Sequence, residues 1–340
     1  MKIMKKQKNN LMKIDLLVVG TGNIAIRHIK NIQTINPEKK IYVLKRTNSK
    51  IDGFFNNNKI NVIHNMNKIT SYCKNSLALI CSPASLHLND IKNLAAKGFN
   101  IFVEKPLLIK QNRVSLLLKK QLDERLLTHV GYNMRFTDRI NYIKKQITKG
   151  KITDIKDIYI EVLTDFRKWR KNKKYKDTVS FNKSLGGGVI NELSHEVDYM
   201  IYLFGKPKSV RVDQHNANNF IADVELSIIA NFKYENNFSV KLYANMISNK
   251  NTRICKINTE NKEIIINHLT NEVITNGSST NVVEFKDSVN TSYIKQLKYV
   301  FNCLEKNIKS IFSINSIIPT QLTLNAMHSS LIQKKRVYLR

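Results

Sequence analysis

In VVGTGNIAIRHI, residues 18–29, Gly20, Gly22 and Ala25 stand as G-x-G-x-x-A at a strand-to-helix turn. The first glycine permits the turn, the second lets main-chain N–H groups approach a diphosphate, and the small third residue lets helix and strand pack closely. Asn23, Ile24 and Ala25 would offer their N–H groups and the positive end of the helix to that anion. An apolar strand before the motif and an amphipathic helix after it give the context that a dinucleotide site requires. The next strand ends in LKR, where an NAD site ordinarily carries a carboxylate for the ribose 2′-hydroxyl. Lys45 and Arg46 stand there instead, and a guanidinium suits a 2′-phosphate through bidentate pairing. The expectation is NADP(H) in preference to NAD(H).

Two further stretches close later strands of the same half: CSPASLH (81–87), with Ser82, Pro83 and His87, and VEKP (103–106), with Glu104 and Lys105. Carboxyl ends of parallel strands are where ligands bind in open sheets. A lysine in a desolvated pocket beside a nicotinamide can shuttle a proton near neutral pH. Further on, LGGGVINELSHEVDYMIYLFG (185–205) sets three glycines, Asn191, Glu192 and His195 ahead of an amphipathic helix. The segment TDFRKWRKNKKYKDTVSFNKS (164–184) brings Trp169, Arg170 and Tyr175 together, groups suited to stacking on a sugar and to pairing with a carboxylate or phosphate. Arg135 and Phe136, ending GYNMRF, are further pocket candidates.

The elements that must position these groups fall into two kinds. Residues 13–131 alternate continuous apolar runs (13–20, 41–46, 61–64, 76–82, 100–106, 126–133) with helical patterns at 23–35 and 85–98, the signature of a parallel sheet covered on both faces. From 132 to 340 the runs at 155–166, 209–215, 224–234, 238–248, 252–258 and 262–268 alternate in and out, as in a large open antiparallel sheet, with helices after Asn191, at 292–306 and from Pro319 to Gln333. The expected fold is therefore an α/β Rossmann domain followed by an α+β domain, behind a disordered basic leader at 1–12. A sheet with one uncovered apolar face calls for a homodimer or homotetramer.

A net charge of +30 over 340 residues suggests nucleic acid, but the lysines are spread along the chain and not clustered with aromatics. No specific nucleic-acid partner is expected, and the charge would serve at most to steer anionic ligands. No apolar run approaches the length of a membrane span, so a cytoplasmic protein is expected. Cys73, Cys81, Cys255 and Cys303 show no metal-ligand or disulfide spacing, which points to reduced thiols and no metal site.

The ordered set GTGNIA, CSPASLH, VEKP, GYNMRF and GGG…H resembles the glucose–fructose oxidoreductase / inositol dehydrogenase (Gfo/Idh/MocA) family over nearly the whole chain from about residue 13. The resemblance implies hydride transfer between NAD(P) and a ring carbon of a sugar, sugar nucleotide or sugar acid. It implies that His195 is the acid/base at the reacting hydroxyl and that Lys105 acts on the same oxygen. The family's usual Asp four residues before that His is Asn191 here, with Glu192 three before and Asp198 one turn after as alternative orienters. Gly186 to Gly188 would let the main chain approach substrate or cofactor. The Trp169 segment is similar to that of family members in surface-polysaccharide and nonulosonate pathways, which implies an anionic sugar as substrate. A nucleotide-binding regulator of the same fold that has lost turnover is the first alternative, and a basic nucleic-acid-binding protein the weaker one.

Overall fold

A computed structural model describes residues 11–46, 53–57, 60–109, 125–168, 178–215 and 222–339. The strands of the first half are β1 (Met12–Ile14), β2 (Leu16–Val19), β3 (Tyr42–Leu44), β4 (Asn61–Ile63), β5 (Ile69–Ser71), β6 (Leu77–Ile80), β7 (Asn100–Val103) and β8 (Thr128–Val130). Six of them form a parallel sheet in the order β4-β3-β2-β6-β7-β8. Every residue of β2, β6 and β7 is buried, which explains their unbroken apolar runs. The run at 13–20 is two strands, not one. Its first part, β1, pairs with β5 outside the main sheet, and the break falls at Asp15, whose carboxylate turns to Lys39.

Helix α1 (Asn23–Ile35) buries Ala25, His28, Ile29 and Ile32, one face at helical spacing. A short helix α2 (Gly53–Asn57) follows β3, and α3 (Ala84–Ala95) connects β6 to β7. After β8 the expected strand end GYNMRF is a 3₁₀ turn at Asn133–Phe136, leading into α4 (Asp138–Thr148).

The second half is built on a nine-stranded sheet whose outer strands the alternation pattern had not reached. Its members are β9 (Ile155–Asp165), β10 (Ser209–Gln214), β11 (Ser227–Lys233), β12 (Ser239–Asn245), β13 (Ile247–Thr259), β14 (Glu263–Asn267), β15 (Glu272–Asn276), β16 (Thr280–Glu284) and β17 (Val337–Tyr338). The order is β16-β15-β14-β13-β9-β12-β11-β10-β17, antiparallel throughout except for β9 beside β12. One face carries Ile158, Ile160, Val162, Ile228, Phe232, Val240 and Leu242 into the core, under α5 (Val189–Glu192), α6 (Ser194–Phe204) and α8 (Ile314–Gln333). Helix α7 (Val289–Glu305) lies instead against the parallel sheet, with Leu297, Val300 and Cys303 in the core that also holds Leu16, Ile29 and Phe102.

Among the described residues no helix is long and apolar enough to cross a membrane, and no group of three or more His, Cys, Asp or Glu is placed to hold a metal ion. All four cysteines are unpaired, three of them buried.

Candidate active site

The glycine turn expected to hold a diphosphate follows directly from β2. Gly20 takes φ +105°, and a Cβ there would stand 3.0 Å from the Cys81 carbonyl oxygen, so a side chain would be both strained and crowded between β2 and the end of β6. A Cβ on Gly22, by contrast, would meet nothing within 4 Å. Gly22 is also the N-cap of α1 and supplies no side-chain cap, so the helix presents open N–H groups to a clear space. These residues suit a dinucleotide diphosphate.

At the end of β3, Lys45 is buried and Arg46 is engaged. Arg46 Nη1 lies 3.2 Å from Asp90 Oδ2 and its Nη2 donates to Asp90 Oδ1, while Ser82 Oγ donates to the same carboxylate at 2.7 Å. A carboxylate from α3 therefore stands beside the cations that end β3. Ser82 and Arg46, both expected at the cofactor, are bound to each other through Asp90.

His87, also expected at the cofactor, is 1% exposed. Its Nε2 stands 2.9 Å from the Ser82 carbonyl and its Nδ1 3.0 and 3.1 Å from the Pro106 and Leu107 carbonyls, and the neutral ring donates from one of the two nitrogens. Burial holds its pKa below the usual imidazole value. Glu104 is likewise turned inward: Oε1 lies 2.6 Å from His28 Nε2, and Oε2 accepts from the Lys105 main-chain N–H at 3.2 Å. The Lys105–Pro106 peptide is cis.

Lys105 points the other way, toward the second domain. Its Nζ donates to the Glu192 carbonyl at 2.9 Å and stands 3.9 Å from the Glu192 carboxylate. His195 opens α6 close by. Its pKa is pushed well below the ordinary imidazole range, first by burial and then by the positive charges of Lys105 and Arg253. The Tyr132 ring meets its imidazole edge-on, with centroids 5.7 Å apart. Ammonium and imidazole, from opposite domains, therefore share one locality.

The orienting carboxylate expected for His195 is not found among the described residues, and His195 Nδ1 is buried without a hydrogen-bond partner. Asn191 faces α8: its Oδ1 accepts from His328 Nε2 at 3.1 Å and its Nδ2 reaches Gly187 O at 3.4 Å. Glu192 is turned to Lys105. Asp198 is held by Arg135, at 2.8 Å from Nε and 2.7 Å from Nη2, and by Thr320 Oγ1 at 3.0 Å. Arg135, expected to line a pocket, is instead 5% exposed in a core ion pair and lies over the Tyr202 and Phe312 rings. Phe136 joins His129, Tyr299 and Phe312 in an aromatic cluster. Trp169, Arg170 and Tyr175 lie outside the described residues.

The glycine run serves close packing within the protein. A Cβ on Gly187 would stand 2.5 Å from the Val179 carbonyl oxygen, and one on Gly188, at φ +102°, 2.5 Å from the Glu225 carboxylate. Sequence reasoning missed His28, Asp90 and Arg253. Arg253, on β13, donates from Nε to the buried Glu196 at 2.7 Å and lies close enough to His195 to depress its pKa. Charged or ring side chains on the core face of an apolar pattern were the available signal.

Residues 14–132 match the family model described as oxidoreductase family, NAD-binding Rossmann fold, and residues 140–265 match the GFO/IDH/MocA C-terminal domain. The chain belongs to the Gfo/Idh/MocA oxidoreductase family. It is 29% identical over 133 residues to inositol 2-dehydrogenase of Rhizobium meliloti (strain 1021), covering 39% of this chain and 38% of that protein. It is 25% identical over 155 residues to scyllo-inositol 2-dehydrogenase (NADP(+)) of Bacillus subtilis (strain 168), covering 44% and 40%. The matched stretches thus span about two fifths of these relatives' lengths. Levoglucosan dehydrogenase in complex with NADH superposes with a TM-score of 0.81 at 16% identity, over 97% of this chain and 100% of that one. The WlbA dehydrogenase from Bordetella pertussis, in complex with NADH and UDP-GlcNAcA, superposes at 0.80 and 16% identity, over 97% and 99%. The Gfo/Idh/MocA chain therefore carries an NAD-binding Rossmann fold and a mainly antiparallel nine-stranded sheet, and its relatives are dehydrogenases of sugars and polyols.

Proposed function

We propose that the protein is an NAD(P)-dependent dehydrogenase or reductase acting on a CH–OH group of a sugar-type ring. The observation that carries this reading is the meeting of Lys105, from the nucleotide-binding half, with Glu192 and His195 of the second half. When bound, the nicotinamide supplies a hydride acceptor or donor. Hydride movement on carbon requires proton movement on the attached oxygen. Lys105, steered by the Glu192 carbonyl, gives or takes that proton. His195, kept neutral by burial and two neighbouring cations, hydrogen-bonds the same oxygen. Gly20, Gly22, Asn23, Ile24 and Ala25 hold the diphosphate.

Within that reading, NADP(H) is preferred over NAD(H), because Lys45 and Arg46 occupy the end of β3. The pairing of Arg46 with Asp90 neutralises part of its charge, so the preference is modest. An anionic sugar is the proposed substrate class, supported by the cations Lys105 and Arg253 around His195 and by a structural neighbour complexed with a nucleotide-linked sugar acid. Polysaccharide or nonulosonate metabolism is the corresponding setting. The outer face of the nine-stranded sheet, with Ile229, Tyr243, Ile254, Ile265 and Ile274 only half-buried, is the proposed contact of a homodimer or homotetramer. Light scattering that finds only monomer would oppose that contact.

The test of the main reading is a panel of neutral and acidic sugars with each dinucleotide, followed by nicotinamide absorbance. Turnover that disappears in Lys105→Ala supports the mechanism, and turnover indifferent to it removes the mechanism. The second reading, a nucleotide-binding regulator without turnover, is favoured by one observation, that among the described residues no carboxylate meets His195 Nδ1. Tight dinucleotide binding with no substrate across the panel would select it.

A further inference from the structure

We infer that His28 is a positioning residue for Lys105, acting through the Glu104 carboxylate. The inference rests on the proposed role of Lys105 as the proton-handling group. His28 lies on α1, whose N-terminus is the diphosphate site, and its ring is wedged edge-on between Phe102 at 5.1 Å and Tyr293 at 5.8 Å. Its Nε2 donates to Glu104 Oε1 over 2.6 Å. The second oxygen of the same carboxylate accepts the main-chain N–H of Lys105. One buried carboxylate therefore joins the helix that would carry the cofactor to the residue that would move the proton.

Three observations mark this as a built connection. Glu104 is 6% exposed and His28 is fully buried, so the contact is made out of water, where an unmatched carboxylate is costly. Space is kept for it: a Cβ on Gly131, in the neighbouring strand end, would come within 3.0 Å of the Glu104 carboxyl carbon. His28 Nδ1, finally, has no hydrogen-bond partner, so the ring makes its single polar contact to Glu104 at the expense of its other nitrogen. A ring needed only to fill the space between Phe102 and Tyr293 would be served by phenylalanine. The nitrogen in contact with Glu104 is what α1 adds to the lysine's setting.

The test compares His28→Phe, which keeps a ring in the slot, with His28→Gln, whose Nε2 can donate from nearly the same place, and with Glu104→Gln. In His28→Phe, kcat is expected to fall by about 100-fold, the scale for misplacing a reacting group by about 1 Å. KM and Kd for the dinucleotide are expected to stay within about twofold, well under the tenfold that 1.4 kcal/mol represents. His28→Gln should recover most of the loss. Combining His28→Phe with Glu104→Gln should cost little more than either alone, because both break one connection. A second arm needs no turnover: acylation of the cofactor-free protein is mapped by mass spectrometry, and the rate at Lys105 is compared with that at the exposed Lys156. A change at Lys105 in His28→Phe, reversed in His28→Gln, supports the inference even if no sugar proves to be a substrate, in which case only the proposed function fails. Unchanged labelling overturns it. So does a parallel loss of dinucleotide affinity, thermal stability and kcat that His28→Gln does not relieve, since that is the pattern of a merely structural residue.

Discussion

Lys105 Nζ donates to the carbonyl of Glu192 over 2.9 Å, joining a loop of the parallel sheet to the helix that leads into His195. The nearest acceptor is a main-chain oxygen, so the path of the backbone aims the ammonium, with the Glu192 carboxylate at 3.9 Å adding its charge. Replacing Lys105 with alanine should lower kcat by about 10²- to 10⁴-fold, the usual contribution of a positioned acid or base. Dinucleotide affinity, measured by fluorescence titration, should change little. Equal losses in both would show that the lysine binds cofactor and does not move the proton.

Cofactor choice can be read at Arg46. Arg46→Ala should lower kcat/KM with NADPH about tenfold more than with NADH, a difference of 1.4 kcal/mol. An unchanged ratio would mean that the Asp90 pair leaves the guanidinium nothing to offer a 2′-phosphate.

The ion pair of Arg135 and Asp198 is a prediction about stability. Both side chains are almost wholly buried, and Thr320 supplies a further donor. Arg135→Leu alone should cost about 3–5 kcal/mol by leaving a buried carboxylate unmatched. Adding Asp198→Leu should restore most of that in chemical denaturation, and a double variant no better than the single would refute the account.

Acid sensitivity follows from buried neutral histidines. His129 is lowered to about 3, and His195 and His268 fall well below 6.5, in each case first through burial and then through neighbouring positive charge. Gln296 Nε2 and Ser310 Oγ contact the two nitrogens of His129, which fits the neutral ring. The folded state resists protons that the unfolded state accepts, so stability is lost as pH falls through and below 6.5. Unfolding free energies that stay flat through that range would contradict this.

Glu225 runs the opposite way. Burial raises its carboxyl from 4.5 to about 7, so the unfolded chain releases the proton first and stability declines as pH rises between those values. Glu225→Gln should keep the bond from the Ile190 N–H to the side chain, gain stability relative to the parent above pH 7 and match it below 4.5. A variant that loses stability at high pH would show that the charged carboxylate is needed beside Gly188.

The parts of this site legible in the sequence were those carried by neighbours in the chain. Gly20 and Gly22 announce a turn because a strand precedes them and a helix follows. Lys105 stands out because a proline follows it at a strand end. What was hidden depended on distant partners: Arg46 looks free until Asp90 comes from α3, Glu104 looks like a cleft residue until His28 meets it, and Asn191 turns to His328 on α8. The helix expected from Asn191 to Phe204 breaks at Leu193, whose ψ of 27° departs from the helical value, and apolar periodicity continues through such a break. The hairpin of β15 and β16 went unread because NEVIT and NVVEF set two apolar residues side by side and do not alternate, whereas α4, also passed over, carries Ile140, Ile143 and Ile147 at helical spacing.

Helix α7 comes after all but the last strand in the chain, yet it closes the core beneath α1, where the amides of Asn290 and Asn31 face each other in reciprocal hydrogen bonds. During synthesis, residues 14–132 leave the ribosome long before this wall exists, and their apolar underside stays wet until Val289–Glu305 emerges. The half with the NAD-binding fold is completed by a helix far along the chain, so a premature stop before residue 289 would leave its core open.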